Sequence, residues 1–175
     1  WAKHCQFQCD ELRVPLKMLR INLEGPELKQ EAAVRQARYD WFDSQMSPAD
    51  VLVTAHHMED QVETVFLRLF RGSGLLGLGA MHEFRRFGIG WLARPLLLVR
   101  KEAIIAYANR NDLRYVDDPS NLDTQIDRNF VRHEVLPLIR SRWPGVDGTV
   151  SRSSSHLKTI QTGLDKSAQK DLKMC

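Results

Sequence analysis

Apolar residues at Trp1, Cys5, Cys9 and Leu12 recur at helical spacing and stop before Pro15, so the chain is predicted to open with a helix. The next stretch, Leu16 to Leu23 ("LKMLRINL"), alternates as a strand does and ends at Gly25 and Pro26. A second helix is predicted over "KQEAAVRQARYDWFDSQ", with Val34, Ala37 and Trp41 inward. After Pro48, "DVLVTAH" is a short, nearly continuous apolar run of the kind found in buried parallel strands. In the next helix, Val62, Val65, Phe66, Leu69 and Phe70 keep the i, i+3, i+4, i+7, i+8 order of a buried face, while Asp60, Glu63, Thr64 and Arg71 fall on another. "RGSG" closes it.

Further along, "FGIGWLARPLLL" reads as an extended segment with Pro95 at an edge or strand end, and "RKEAIIAYANRND" as a helix. "DDPSN" has turn composition, and "DRNFVRHEVLPLIRSRW" reads as a helix interrupted near Pro137. Pro144 and Gly145 mark a boundary. Beyond them Val150, Leu157, Ile160, Leu164 and Leu172 form an apolar stripe on a long polar helix, and such a stripe calls for a partner. Helices alternating with strands predict an α/β fold built on a parallel sheet.

Composition narrows this picture only a little. The 175 residues, 43% hydrophobic and 27% charged, suffice for one domain with a substantial core and the start of a second, and they exclude a disordered chain. A net charge of +3 permits a nucleic-acid partner without arguing for one. No apolar run approaches the ~20 residues of a membrane-spanning helix, so a soluble protein with no membrane partner is expected. The three cysteines are an odd number, and Cys5 and Cys9 stand i, i+4 and not as a CxxC pair; with Cys175 they fit a reducing cytoplasm. The chain opens on Trp1 and stops at "KDLKMC", which predicts a piece of a longer protein.

The chemistry concentrates in "TAHHMEDQVETVFLRLFRGSG", Thr54 to Gly74. It sits where a predicted parallel strand feeds the amino end of a helix, the edge at which open α/β sheets bind ligands. Asp60 and Glu63, three apart, share one helix face and can grip one cation. Three readings compete. Acidic residues in a first turn offset the helix dipole, which is all that is asked of Glu59. His56, His57 and the acids could hold a metal, as in a metal-dependent hydrolase, but the spacing lacks the H-E-x-x-H arrangement that puts two histidines on one turn, so no metal is expected. The third reading is a pair of carboxylates facing an ammonium.

"TAHHMEDQVETVFLRLFRGSGLLGLGAM" closely resembles the corresponding stretch of the bacterial tRNA(Ile)-lysidine synthetases, ATP-pyrophosphatase enzymes of the PP-loop superfamily. The resemblance continues through "EAAVRQARYDWF", "RPLL", "DDPSN" and "DRNFVRHEVLPLI" in the same order, over about residues 1 to 145. It implies a partial catalytic domain over 1–145 and, over 146–175, a linker helix toward a tRNA-binding domain. It implies an enzyme that adenylates C2 of the wobble cytidine of an isoleucine tRNA with ATP and Mg2+, and lets the amine of L-lysine displace AMP. A thiolating relative of the superfamily is the runner-up, though Cys5 and Cys9 lack the cysteine pairing such enzymes use.

On this resemblance Asp60 and Glu63 hold the lysine substrate, and a carboxylate or His56 accepts the proton of its amine, while His57 packs or caps. Arg35, Arg38 and Arg71 look toward ATP phosphates. Arg128, Asn129 and Arg132 of "RNFVR" offer a basic edge to tRNA or nucleotide, and Asp118 and Asn121 shape a nearby loop. One departure stands out: the family's phosphate-binding "SGGxDS" loop occurs nowhere in these 175 residues. The strands that flank it in the family are therefore expected to be missing, leaving a gap in the middle of the sheet.

Overall fold

A computed structural model describes residues 1–21 and 31–174. The elements run α1 (Ala2–Leu12), α2 (Glu31–Ser44), β1 (Val51–Val53), α3 (Met58–Phe70), α4 (Leu75–Leu78), β2 (Phe84–Phe87), β3 (Gly90–Ala93) and α5 (Lys101–Arg110). A 3-10 turn at Pro119–Leu122 precedes α6 (Asp127–Phe130), a π turn (Val131–Val135), α7 (Leu136–Arg142) and α8 (Val146–Met174). The three strands pair in the order β1-β3-β2. Trp91 N donates to Asp50 O and Thr54 N to Ala93 O, the slanted stagger of a parallel pair. β2 and β3 form a tight hairpin that turns at Gly88 and Ile89, with Arg94 N donating to Glu83 O at its open end. The protein is therefore mixed α/β with one parallel and one antiparallel pairing.

Two compact units share the chain. The first comprises residues 1–52, 86–91 and 114–117. In it Val34, Ala37 and Trp41 are half-buried, as their spacing on α2 predicts. Tyr39 meets Phe42 and Phe87 edge-on at 6.2 and 5.5 Å. Gly90 is needed for close approach, since a Cβ there would stand 2.6 Å from Asp50 O. The predicted strand at Leu16–Leu23 is a correction: residues 14–21 have no regular structure, and residues 22 and 23 lie outside the described residues. Alternation alone does not make a strand, which needs a neighbour to take up its backbone groups.

The second unit comprises residues 53–85, 92–113 and 118–175. Its core is Val62, Val131 and Leu136, with Phe66, Leu67 and Val150 packed against it. Leu69 and Phe70, expected on the buried face of α3, are exposed, because the packing partners of α3 end a turn earlier than its apolar stripe. α3 stops in a Schellman motif: Gly72 sits at φ 70°, Gly72 N donates to Leu69 O, and Ser73 N donates to Arg68 O. The glycine does there what a side chain would make strained.

The interruption near Pro137 takes the form of the π turn. Pro137 has no N–H to give the carbonyl one turn back, and the preceding turn widens. Asp147, in the first turn of α8, receives a two-pronged bond from Arg140 at 2.9 and 2.8 Å, which ties α7 to α8. Only the first turns of α8 are packed. Ser151 and Ser154 are buried, whereas Ile160, Leu164 and Leu172 of the predicted stripe are exposed.

A buried glutamine fastens α3 to the segment beyond α4. Gln61 Oε1 accepts from Met81 N at 2.9 Å, and its Nε2 donates to Met81 O and Ser154 Oγ at 3.2 and 3.1 Å. Ser154 Oγ donates in turn to Gly79 O at 2.7 Å, and Lys158 Nζ donates to Met81 O. This irregular segment thus has its backbone groups satisfied by side chains from α3 and α8, as a buried segment without ladder bonds requires. Among the described residues no helix is long and apolar enough to cross a membrane.

Candidate functional site

Helix α3 begins at His57, its N-cap, in extended backbone conformation. His57 N donates to Asp60 Oδ2 at 2.9 Å, the carboxylate half of a capping box. His57 Nδ1 stands 2.9 Å from Glu59 Oε2. The same Glu59 oxygen accepts Lys101 N at 2.9 Å, so Glu59 caps α5 from a distance as well as facing the dipole of its own helix. Burial acts to raise the Glu59 pKa, but the hydrogen bonds from His57, its own backbone and Lys101, with the charge on His57, outweigh it and hold the carboxyl below its ordinary value. This is more than the dipole role expected from sequence.

Asp60 and Glu63 do share one face, and the structure fills that face with two arginines. Glu63 accepts Arg128 Nε at 2.7 Å, Arg132 Nε at 2.7 Å and Arg132 Nη2 at 2.9 Å. Asp60 Oδ1 accepts Arg128 Nη2 at 2.9 Å, and Arg132 Nη2 lies 3.7 Å from it. The Glu63 side chain is 2% exposed and that of Asp60 14%, against 21% and 25% for Arg128 and Arg132. Two negative and two positive groups balance, which is what lets them stay out of water together. The Glu63 hydrogen bond raises the Arg132 pKa above its ordinary value, against the opposing effect of burial and aided by the charges of Glu63 and Asp60.

The motif 127–132 delivers these groups by turns. Arg128 and Arg132 point to the acids. Asn129, buried between them, donates from Nδ2 to Ser120 O at 2.8 Å and Asp123 O at 2.9 Å, locking the loop before α6. Asp118 caps that loop by accepting Ser120 N and Oγ, as its turn composition suggested, while Asn121 takes part through its backbone oxygen, 2.8 Å from His133 Nε2. Val131 goes to the core. Asp127 pairs with Arg71 at 3.0 Å on the surface.

The remaining candidates are dispersed. His56 is half-buried with Nδ1 2.9 Å from Thr54 Oγ1. Arg35 and Arg38 are exposed on α2 in the first unit, Arg35 lying over the Tyr39 ring at 4.8 Å. Cys5 is exposed and Cys9 half-buried on α1; Cys175 lies outside the described residues. Among the described residues no group of three or more His, Cys, Asp or Glu is placed to hold a metal ion. Both carboxylates of the α3 face meet guanidinium groups in the structure.

Gln61 was missed in the sequence. Its one signal was a polar residue four before Val65 and beside Val62, inside the apolar stripe.

Residues 1–139 match the PP-loop domain family. The chain is 44% identical to the tRNA(Ile)-lysidine synthase of Pseudomonas fluorescens (strain Pf0-1) over 172 residues, 98% of this chain and 39% of that protein. It is 45% identical to that of Pseudomonas syringae pv. tomato over 172 residues, 98% of this chain and 38% of the relative. With that of Coxiella burnetii the identity is 42% over 175 residues, 99% of this chain and 39% of the relative. The chain thus spans about two fifths of the length of these curated relatives.

Proposed function

We propose, for a chain that belongs to the PP-loop domain family, that the protein carrying it ligates L-lysine to C2 of the wobble cytidine of tRNA(Ile). ATP supplies the AMP group that activates the C2 oxygen. The lysine amine then attacks C2, AMP leaves with that oxygen, and pyrophosphate has already departed. The observation that carries this reading is near-complete coverage of the chain by relatives at 42–45% identity. The compartment expected is the cytoplasm.

Within this reading Asp60 and Glu63 face the lysine ammonium, and His56 or one of these carboxylates takes the proton released when the amine becomes a nucleophile. Both carboxylates sit in the first two turns of α3, beyond the end of β1. The cations they hold in the structure are Arg128 and Arg132, so an incoming ammonium exchanges with a guanidinium, cation for cation, and the displaced arginine becomes available to phosphate or tRNA. Asp60, the more exposed of the two, is the first to be reached. Arg35 and Arg38 are assigned to the charge of the ATP phosphates, whereas Arg71 is paired with Asp127 at the carboxyl end of α3 and faces phosphate there.

Steady-state kinetics of the Asp60→Asn protein test the site. Lysine KM should rise at least tenfold with ATP KM little changed. An unchanged lysine KM would remove Asp60 from the lysine site and leave the reaction itself standing.

A further inference from the structure

At the carboxyl end of α3 a surface groove of about 250 Å³ is lined by Leu67, Phe70, Arg71, Asp127, Phe130 and Val131. We propose that this groove, lined by the exposed rings of Phe70 and Phe130 and by Arg71, is a stacking site for one unstacked nucleobase of an RNA substrate. The proposal rests on the reading of the protein as a tRNA-modifying enzyme.

Several observations carry it. Phe70 and Phe130 are 61% and 49% exposed, two large rings left in water at the rim of one groove, while the floor residues Leu67 and Val131 belong to the packed core. Phe70 is held from behind by Phe66, with ring centroids 5.9 Å apart, and Phe66 itself packs on that core. The ring is therefore a supported platform and not a loose side chain, which lowers the entropy lost when something stacks on it. The backbone beside Phe130 is anchored by its neighbour Asn129, which is buried and bonded to the loop. A volume below the ~300 Å³ of sites for drug-sized ligands suits a single flat ring system.

The rim supplies the charge. Arg71 Nη2 pairs with Asp127 at 3.0 Å, but the two side chains are largely in water, so the pair opens at little cost. A nucleotide entering the groove brings its own phosphate, and Arg71 can pass from Asp127 to that phosphate while the base lies against the phenylalanines. An occupant without an anionic group would use the rings but not the arginine. Arg128 and Arg132, on the same segment, face away into the acidic pair, so the groove is distinct from that network although α6 contributes to both.

Base-aromatic stacking is worth about 1–3 kcal/mol per base by alanine substitution, or roughly 5- to 150-fold in affinity. The test uses the complete protein and unmodified tRNA(Ile), with Kd measured at fixed salt. Phe70→Ala and Phe130→Ala should each weaken tRNA binding by at least fivefold, with KM for ATP and lysine unchanged. Phe70→Tyr and Phe130→Tyr should restore binding, and Phe70→Leu and Phe130→Leu should not. Circular dichroism and thermal melting identify any variant that fails to fold, in which case the Leu and Tyr pair at the other position decides. Restoration by leucine as full as by tyrosine would mean plain apolar packing and would overturn the proposal, as would wild-type affinity in the alanine variants. If the wild-type protein binds no tRNA, the proposed function fails instead.

Discussion

Replacing Glu63 by alanine tests whether the acid–arginine network holds α3 to the 127–132 segment. Glu63 receives three charge-assisted hydrogen bonds of 2.7, 2.7 and 2.9 Å, and its side chain is 2% exposed. Removing one partner of a buried ion pair costs about 3–5 kcal/mol, because the remaining charge is left unpaired in a poorly solvated place. Here the stranded groups are Arg128 and Arg132, each about a fifth to a quarter exposed, and Asp60 still takes one bond from Arg128. Partial solvation places the expected loss at the lower end, about 3 kcal/mol, a large share of the roughly 5–15 kcal/mol that holds a domain folded. Glu63→Gln keeps the volume but turns an amide N–H2 toward a guanidinium, so about 2 kcal/mol is expected. The Glu63→Ala, Arg132→Ala double variant should be less destabilised than the sum of its parts, by about 0.5–3 kcal/mol. Urea unfolding monitored by circular dichroism measures all three. A Glu63→Ala protein within about 0.5 kcal/mol of wild type would refute the reasoning, since it would mean that Glu63 is solvated and unpaired before substrate arrives.

The same geometry sets two further outcomes. Gln61→Leu strands the buried Met81 N–H, while Met81 O keeps Lys158 and Gly79 O keeps Ser154, so a loss of about 1–3 kcal/mol is expected, and no change in the urea midpoint would contradict the clasp. Glu59 has a folded pKa below its unfolded value of about 4.3, so its stabilisation is complete above that value and is lost as pH falls through the folded pKa. The stability gap between wild type and Glu59→Gln should accordingly narrow as the pH falls from about 4.3 toward 3; a gap that stays the same over that range would count against the His57 and Lys101 bonds.

The helices were legible because an apolar repeat of 3.6 residues is a local signal: α2, α3 and α5 lie where their periodicity puts them. The interruption near Pro137 was legible for a similar reason, the missing N–H of one residue, although its form as a π turn was not. What needed the structure was pairing at long range. "LKMLRINL" alternates as a strand does, yet residues 14–21 take no strand, because pairing is set by neighbours that the local pattern does not name. Arg128 and Arg132 read as an outward basic edge, since a helix one turn long shows which residues share a face and not what that face meets. Their partners lie 65 to 69 residues earlier. Glu59 likewise bonds to a backbone amide 42 residues away, which no spacing rule reports. The family, by contrast, was readable because several motifs recur in order, and order survives where contacts are invisible.

The proposed reaction is tested most directly by incubating the complete protein with ATP, L-lysine and unmodified tRNA(Ile), digesting the RNA and identifying the nucleoside at the wobble position by mass spectrometry. Lysidine is expected there, with one AMP and one pyrophosphate formed per modified tRNA and no product when lysine is withheld. A thiolated wobble base, or an unaltered cytidine under conditions where the protein is folded and binds its tRNA, would contradict it.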